Sequence, residues 1–189
     1  MNRKLVSGFV AALGVLTALP AVAANLTIKG SDTMVILGQR FAEEYMKNNP
    51  GVVIQVNGGG SGTGIAALIN GTVDLAQSSR PMKDGEKADV EKRRSAKLNE
   101  TPVALDALAV FVNEGNPVRE LSIDQLSAIY TGKVTNWNQV GGGNAPIVLY
   151  GRENSSGTYE YFKEHVLNKA DFAPRTQTLQ GTAAVINAV

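Results

Sequence analysis

The 189-residue chain has no cysteine and a single histidine, His165. Without cysteine the protein has no disulfide, no thiolate nucleophile and no cysteine-based zinc site. One histidine is too few for a histidine metal cluster, so the sequence predicts neither a metal site nor any other cofactor. His165 stands among charged residues in a helical pattern, which is typical of a surface side chain.

A strong charge of one sign is also missing. The chain has 18 basic and 17 acidic residues, and the first 23 residues hold two of the basic ones, Arg3 and Lys4, and no acidic one. The remainder is therefore nearly neutral. A balance of this kind does not favour a nucleic-acid partner.

The N-terminus has the three parts of a secretory signal peptide. Arg3 and Lys4 precede an apolar segment over residues 5–19, and Ala21-Val22-Ala23 follows Pro20. The apolar segment is shorter than the roughly 20 residues that a membrane helix needs, and a small-x-small ending favours cleavage. We predict a signal peptide over residues 1–23 and a soluble, periplasmic, monomeric protein, without a lipid anchor because cysteine is absent.

After residue 23, strand-like and helix-like segments alternate, which predicts an α/β fold. Strands are expected near residues 26–28, 52–56, 73–76, 103–112 and 147–150, and helices near 33–47, 65–69, 83–97, 122–129 and from 158 onward. A last apolar helix over residues 181–189 lacks a stop signal. We therefore expect the sequence to be a fragment that ends inside a domain.

Three strand-to-helix junctions share one composition, with glycine and hydroxyl side chains at the expected helix start. They are residues 30–33, 60–64 and 155–158. A helix N-terminus has unpaired N–H groups and a partial positive charge, so each junction is a candidate oxyanion site. Ordinary helix capping by Ser, Thr or Asp is the alternative at any one of them.

Two arginines add to this interpretation. Arg152 precedes the third junction and has the geometry to grip a tetrahedral anion with two parallel hydrogen bonds. Arg80 follows a strand end, where ligands collect in open α/β sheets. For Arg80 the alternative is an ion pair at the surface or between two lobes.

Catalytic patterns are not found. The glycine run at residues 58–64 fits neither a phosphate loop nor a dinucleotide fingerprint, and Ser61 is not in a Gly-x-Ser-x-Gly elbow. His165 is the only histidine that could serve a serine as base. A secreted phosphate-ester hydrolase is therefore the weaker alternative to a binding protein.

The order of these motifs resembles that of the phosphate-binding proteins of Pst-type ABC importers, in the type II periplasmic-binding-protein superfamily. The resemblance covers the chain after residue 23 and is most specific in Arg152, Ser156, Gly157 and Thr158. It implies a two-lobe α/β fold, with lobes at residues 24–104 and 105–189, that captures inorganic phosphate for permease subunits in the inner membrane. Family members are longer, so the second lobe is expected to be incomplete and to lack the segment that returns to the first.

The resemblance also implies which residues contact phosphate. Thr33 and Met34 would do so mainly through backbone N–H groups, together with Ser61, Arg152, Ser156, Gly157 and Thr158. Many members have an aspartate that accepts the proton of hydrogen phosphate where this chain has Ser79, followed by Arg80. We keep Ser79 and Arg80 as candidate ligands and Asp32 as a candidate proton acceptor. Sulfate, molybdate or a role outside transport remain alternatives.

Overall fold

The computed structural model describes residues 24–189, so the predicted signal peptide lies outside the described residues. The strands are β1 (Ala24–Gly30), β2 (Val52–Asn57), β3 (Leu75–Gln77), β4 (Tyr150–Arg152) and β5 (Gln177–Leu179). The helices are α1 (Val35–Asn48), α2 (Ser61–Asn70), α3 (Asp84–Arg94), α4 (Ile123–Tyr130), α5 (Gly157–His165) and α6 (Thr182–Ala188). Among these helices of the described part, none has the length and apolar character needed to cross a membrane.

The first half of the described chain is a parallel sheet with connecting helices. Its strand order is β2-β1-β3, with β1 in the centre and both neighbours parallel to it. Parallel strands require crossover connections, which α1 and α2 provide. All three strands therefore end at the same edge of the sheet, where ligands collect in open α/β folds.

Helix α1 packs through small residues rather than through its largest apolar ones. Gly38 and Ala42 are its buried residues, while Phe41 and Tyr45 are exposed. A Cβ atom on Gly38 would stand 2.5 Å from Gln77 Oε1 and 3.3 Å from Val56 Cγ1. The helix predicted near residues 33–47 is confirmed, and its close approach to the sheet favours small residues on the buried face.

Helix α2 carries the core of this first half. Ile65 is 1% exposed and packs with Met82 and Val90. Gly64, the residue before it, faces β1 so closely that a Cβ atom would stand 2.5 Å from the Cα atom of Gly30. Gly71 ends the helix with φ 72°, a left-handed conformation that favours glycine.

The second half forms a separate core around a short parallel pair of strands, β4 and β5. Its buried residues are Ile129, Ile147, Leu149 and Ala173, and Trp137 packs against them. Ser122 and Gln125 form a capping box at the start of α4, since Gln125 N donates to Ser122 Oγ (3.1 Å) and Ser122 N donates to Gln125 Oε1 (2.8 Å).

The strand predicted at residues 103–112 is wrong. Residues 95–122, described throughout, contain neither helix nor strand, and Val103, Leu105 and Phe111 are exposed. An apolar run becomes a strand only when a neighbouring strand pairs with its backbone groups, and among residues 24–189 none does. The strand predicted at residues 147–150 is displaced, because β4 begins only at Tyr150.

Substitution of Ile65 tests the first core. Ile65→Ala should lower the free energy of unfolding by about 2–5 kcal/mol, because it leaves a cavity in a closely packed site. Ile36→Ala is the control, since Ile36 is 75% exposed, and should change stability by less than about 0.5 kcal/mol. Urea unfolding followed by circular dichroism measures both, and equal effects would contradict the described packing.

Candidate functional site

The candidate site lies where the carboxyl ends of the two sheets face each other. Strand β1 leads into Ser31, and β3 leads into Ser79. From the other sheet, β4 ends at Arg152 and β5 leads to Thr182. The topology thus brings together segments that are up to 151 residues apart in the sequence, from Ser31 to Thr182.

Four side chains at the end of the first sheet form what we call the hydroxyl cluster: Ser31, Thr33, Ser61 and Ser79. Ser31 Oγ donates to Ser79 Oγ (3.0 Å), and Ser61 Oγ lies 3.2 Å from the same atom. Ser79 N donates to Ser61 Oγ (3.1 Å), and Ser31 Oγ is 2.9 Å from Thr33 Oγ1. Ser61 is 0% exposed, so this polar group sits in the interior.

The start of α5 lies directly against the hydroxyl cluster. A Cβ atom on Gly157 would stand 2.7 Å from Ser61 Oγ and closer still to Ser79 Oγ. Ser156, which is buried, caps the helix by accepting from Thr158 N (3.2 Å) and Tyr159 N (3.4 Å). Only glycine allows this approach, which explains the Ser-Gly-Thr sequence at this junction.

Backbone contacts hold the two junctions together. Gly62 N donates to the Ser155 carbonyl oxygen (2.9 Å), and a Cβ atom on Gly60 would stand 2.6 Å from that oxygen. Helices α2 and α5 therefore begin next to each other. Their first N–H groups have no partner within their own helices and make the region favourable for negative charge.

Arg152 is 6% exposed, and most of its N–H groups are engaged. Nε and Nη2 donate to the two carboxylate oxygens of Glu153 (3.0 and 2.9 Å). Nη2 also donates to Asp32 Oδ2 (2.8 Å), and Nη1 donates to Thr182 Oγ1 (2.9 Å). A guanidinium has five N–H donors, so one on Nη1 is left for a further acceptor.

Asp32 joins the two halves at this arginine. Its Oδ2 atom accepts from Arg152, and its Oδ1 atom accepts from Gly59 N (2.9 Å). Each carboxylate oxygen has two lone pairs. Asp32 therefore retains acceptor capacity beside the hydroxyl cluster while it neutralises part of the arginine charge.

Arg80 lies in a different set of contacts. Its side chain is 9% exposed, and it donates to both oxygens of Glu86 (2.9 and 2.8 Å). Its Nε atom is 2.7 Å from Glu160 Oε2 on α5. This geometry favours the ion pair that the sequence left open as an alternative, rather than a direct ligand contact.

The structure brings most of the predicted residues to one place, directs Arg80 elsewhere and pairs the backbone N–H of Met34 with Ser31. Thr33, Ser61, Ser79, Ser156, Gly157 and Thr158 lie in or against the hydroxyl cluster, and Arg152 and Asp32 adjoin it. Arg80 points to the glutamates, and Met34 N donates to the Ser31 carbonyl oxygen (3.2 Å) within a short 3-10 turn. His165 is exposed at the far end of α5, as the sequence predicted.

Sequence reasoning missed two residues of the site and included a third, Ser31, only as part of the junction at residues 30–33. Ser31 is a member of the hydroxyl cluster, and Glu153 and Thr182 hold Arg152. Thr182 follows Gly181 at the start of α6, which repeats the glycine-hydroxyl pattern of the other junctions. That repetition is the signal in the sequence, although the apolar residues after it are equally typical of a helix that packs in a core.

The fold and the family follow from comparison with known proteins. A family model described as a PBP superfamily domain matches residues 17–188. A phosphate-binding protein PstS from Pseudomonas aeruginosa is 39% identical over 180 residues, which is 89% of this chain and 56% of that protein. Its counterpart from Bacillus subtilis is 37% identical over 147 residues, 78% of this chain and 47% of the relative. The chain spans about half the length of the curated relatives it matches.

Solved structures give the same result for the fold. A Clostridium perfringens protein crystallised with bound phosphate has a TM-score of 0.79 at 34% identity, over 87% of this chain and 65% of that one. An ABC-type phosphate transport receptor from Vibrio cholerae has a TM-score of 0.67 at 32% identity, over 88% and 67%. These likenesses confirm the predicted α/β fold of the type II class.

The Arg80–Glu86 pair makes stability depend on pH. Hydrogen bonding from the guanidinium lowers the pKa of the Glu86 carboxyl below its usual range. The pair therefore adds stability above the ordinary glutamate pKa near ~4.3, and this is lost as the pH falls through the lower pKa of the folded state.

Glu86→Gln should accordingly be less stable than the parent chain at neutral pH. The difference should shrink between about pH 5 and pH 3, as linkage requires, in urea unfolding measured at each pH. Glu43→Gln is the control, because its ion pair with Arg40 is exposed and such pairs contribute little. A difference that stays constant down to pH 3 would contradict this account.

Proposed function

The chain belongs to the PBP superfamily, and from that premise we propose that it captures inorganic phosphate between two α/β lobes as the solute-binding protein of an ABC importer. The lobes are residues 24–104 and 105–189. The PstS proteins that it resembles are named for binding phosphate. The proposal makes the chain a receptor and not an enzyme.

The observation that carries the proposal is the meeting of two helix starts around buried hydroxyl groups. Ser61 begins α2 and Gly157 begins α5, and the two residues face each other at the hydroxyl cluster. A tetrahedral oxyanion here would accept from hydroxyls and helix N–H groups, which are donors of the kind that phosphate sites use. On binding such a ligand, the hydroxyl groups would donate to its oxygen atoms instead of to one another.

Arg152 supplies positive charge next to these donors. Its remaining Nη1 donor gives one charge-assisted hydrogen bond, and release of Asp32 from Nη2 would give a second. At ~1.5–3 kcal/mol for each hydrogen bond to a charged group, a few such bonds suffice for micromolar affinity, about −8 kcal/mol. Backbone N–H groups of Thr33 and Met34 complete the proposed ligand set, with Met34 N giving up its bond to Ser31.

We assign the selection of phosphate over sulfate to Asp32 rather than to Ser79. Hydrogen phosphate carries a proton that needs an acceptor, whereas sulfate near neutral pH does not. Ser79 Oγ already accepts from Ser31, and a carboxylate is the stronger acceptor of the two. Asp32 lies beside the cluster with free lone pairs, and we propose that it receives this proton.

The hydrolase alternative receives little support from the site. His165 ends α5 eight residues after Gly157, which is about 12 Å along a helix. It is therefore remote from Ser61 and Ser79 as a base. Within residues 24–189 the acidic and histidine side chains form no group of three that could hold a metal ion.

The cellular setting is also part of the proposal. The N-terminal pattern of residues 1–23 supports export, and permease subunits in the inner membrane are the proposed partner. The nearly even count of 18 basic and 17 acidic residues gives no reason to expect nucleic acid. We propose that the protein works as a periplasmic monomer.

Titration calorimetry tests the ligand. Phosphate at neutral pH should bind the chain with micromolar or tighter affinity, and sulfate should give no heat at the same concentration. If Asp32 is the proton acceptor, Asp32→Asn should narrow this preference. Sulfate binding as tight as phosphate in the parent chain would contradict the proposed selectivity.

Gly157→Ala tests the place of binding without removing a charge. The new methyl group would enter the hydroxyl cluster, so phosphate affinity should fall by at least about tenfold, ~1.4 kcal/mol. Gly143→Ala is the control, because a Cβ atom there meets nothing within 4 Å. Unchanged phosphate affinity in Gly157→Ala would place the ligand elsewhere.

A further inference from the structure

A second set of charged contacts joins the two lobes at one side of the hydroxyl cluster. Arg80 and Lys83 come from the first lobe, and both contact Glu160 of α5 in the second. These residues are outside the proposed ligand set as the structure arranges them.

The side chain of Arg80 is held in a fixed orientation. Glu86 accepts from both Nη atoms of Arg80, and the Pro81 carbonyl oxygen accepts from Nη1 (2.9 Å). Nε is then directed at Glu160 Oε2, 2.7 Å away. Because the side chain of Arg80 is 9% exposed, water competes weakly for it and the pair is stronger than one at the surface.

Both partners are close in sequence to the site. Arg80 directly follows Ser79 of the hydroxyl cluster, and Glu160 lies three residues after Gly157, about one turn along α5. Movement of α5 away from the cluster would therefore separate Glu160 from Arg80. Conversely, the ion pair resists withdrawal of Gly157 from Ser61 and Ser79.

We propose that Arg80 and Glu160 form a closing pair that positions the start of α5 against the hydroxyl cluster, and so controls how long a bound anion is retained. The closing pair is the contact between these two side chains. The retention of phosphate rests on the proposed function, whereas the effect on the distance between the lobes does not.

The closing pair can be broken without dismantling the first lobe. Arg80, Lys83, Glu86 and Glu160 carry two positive and two negative charges. Replacement of Glu160 by glutamine leaves Arg80 bonded to Glu86 within its own lobe. The substitution therefore weakens only the ion pairs that Glu160 makes with the first lobe.

The distance between lobes is measured with two spin labels. The chain has no cysteine of its own, so Lys92→Cys on α3 and Asn138→Cys in the second lobe, both at exposed positions, give unique attachment sites. In the absence of phosphate, Glu160→Gln should broaden the distance distribution toward longer values. With phosphate, stopped-flow measurement should show dissociation faster by on the order of tenfold, as for loss of one charged hydrogen bond.

The matched control is Asp171→Asn. It removes the acidic partner of Lys163, which is also on α5, but this exposed pair lies within the second lobe. Distances and dissociation rate should stay at the parental values. A change in melting temperature alone, without a change in distance, would assign Glu160 a merely structural role and overturn the proposal.

Two further outcomes, absence of phosphate binding and failure of the variant to fold, can be distinguished from failure of the closing pair. If the parent chain binds no phosphate, the proposed function fails, and the distances alone decide on the closing pair. If Glu160→Gln does not fold, Glu160→Asp takes its place, because its side chain is one methylene group shorter and draws the carboxylate back from Arg80 Nε, which is 2.7 Å from Glu160 Oε2 in the parent chain. A parental distance distribution in the folded variant would then overturn the proposal.

Discussion

A guanidinium buried away from water needs its charge and its N–H groups satisfied by the protein, because an unpaired buried charge is strongly destabilising. Arg152 meets this requirement through residues from three parts of the chain: Asp32, Glu153 and Thr182. Satisfying one side chain thus fixes the end of β1, the end of β4 and the start of α6 relative to one another. Because Ser31 and Thr33 flank Asp32, the contact between Asp32 and Arg152 also helps to position these two members of the hydroxyl cluster.

The carboxylates beside Arg152 also define what the site can attract. Two acidic side chains contact one arginine, so side-chain charge alone does not make the site positive. The favourable field for an anion must come largely from the helix starts at Ser61 and Gly157. A site of this type relies on oriented donors rather than on net charge, and it favours a ligand that can also donate a proton.

Sequence patterns predicted those helices and strands whose ends are set by interactions between neighbouring residues. The β-branched run of β2, the glycine stop of α2 and the capping box at Ser122 each specify a boundary from adjacent residues. The strand expected at residues 103–112 failed because strand formation depends on a distant partner. The partners of Arg80 and Arg152 were likewise unpredictable, since Glu160 and Asp32 lie 80 and 120 residues away. The hydroxyl-rich junctions were found because glycine and serine at a helix start are a local signal.

Backbone NMR of the chain during a phosphate titration tests whether the starts of α2 and α5 jointly hold a phosphate ion, as we propose. The amide resonances of Ser61, Gly157 and Thr158 should shift together with a single dissociation constant, while those of the distant α4 should stay in place. Shifts confined to one of the two junctions, or centred on another surface, would contradict it.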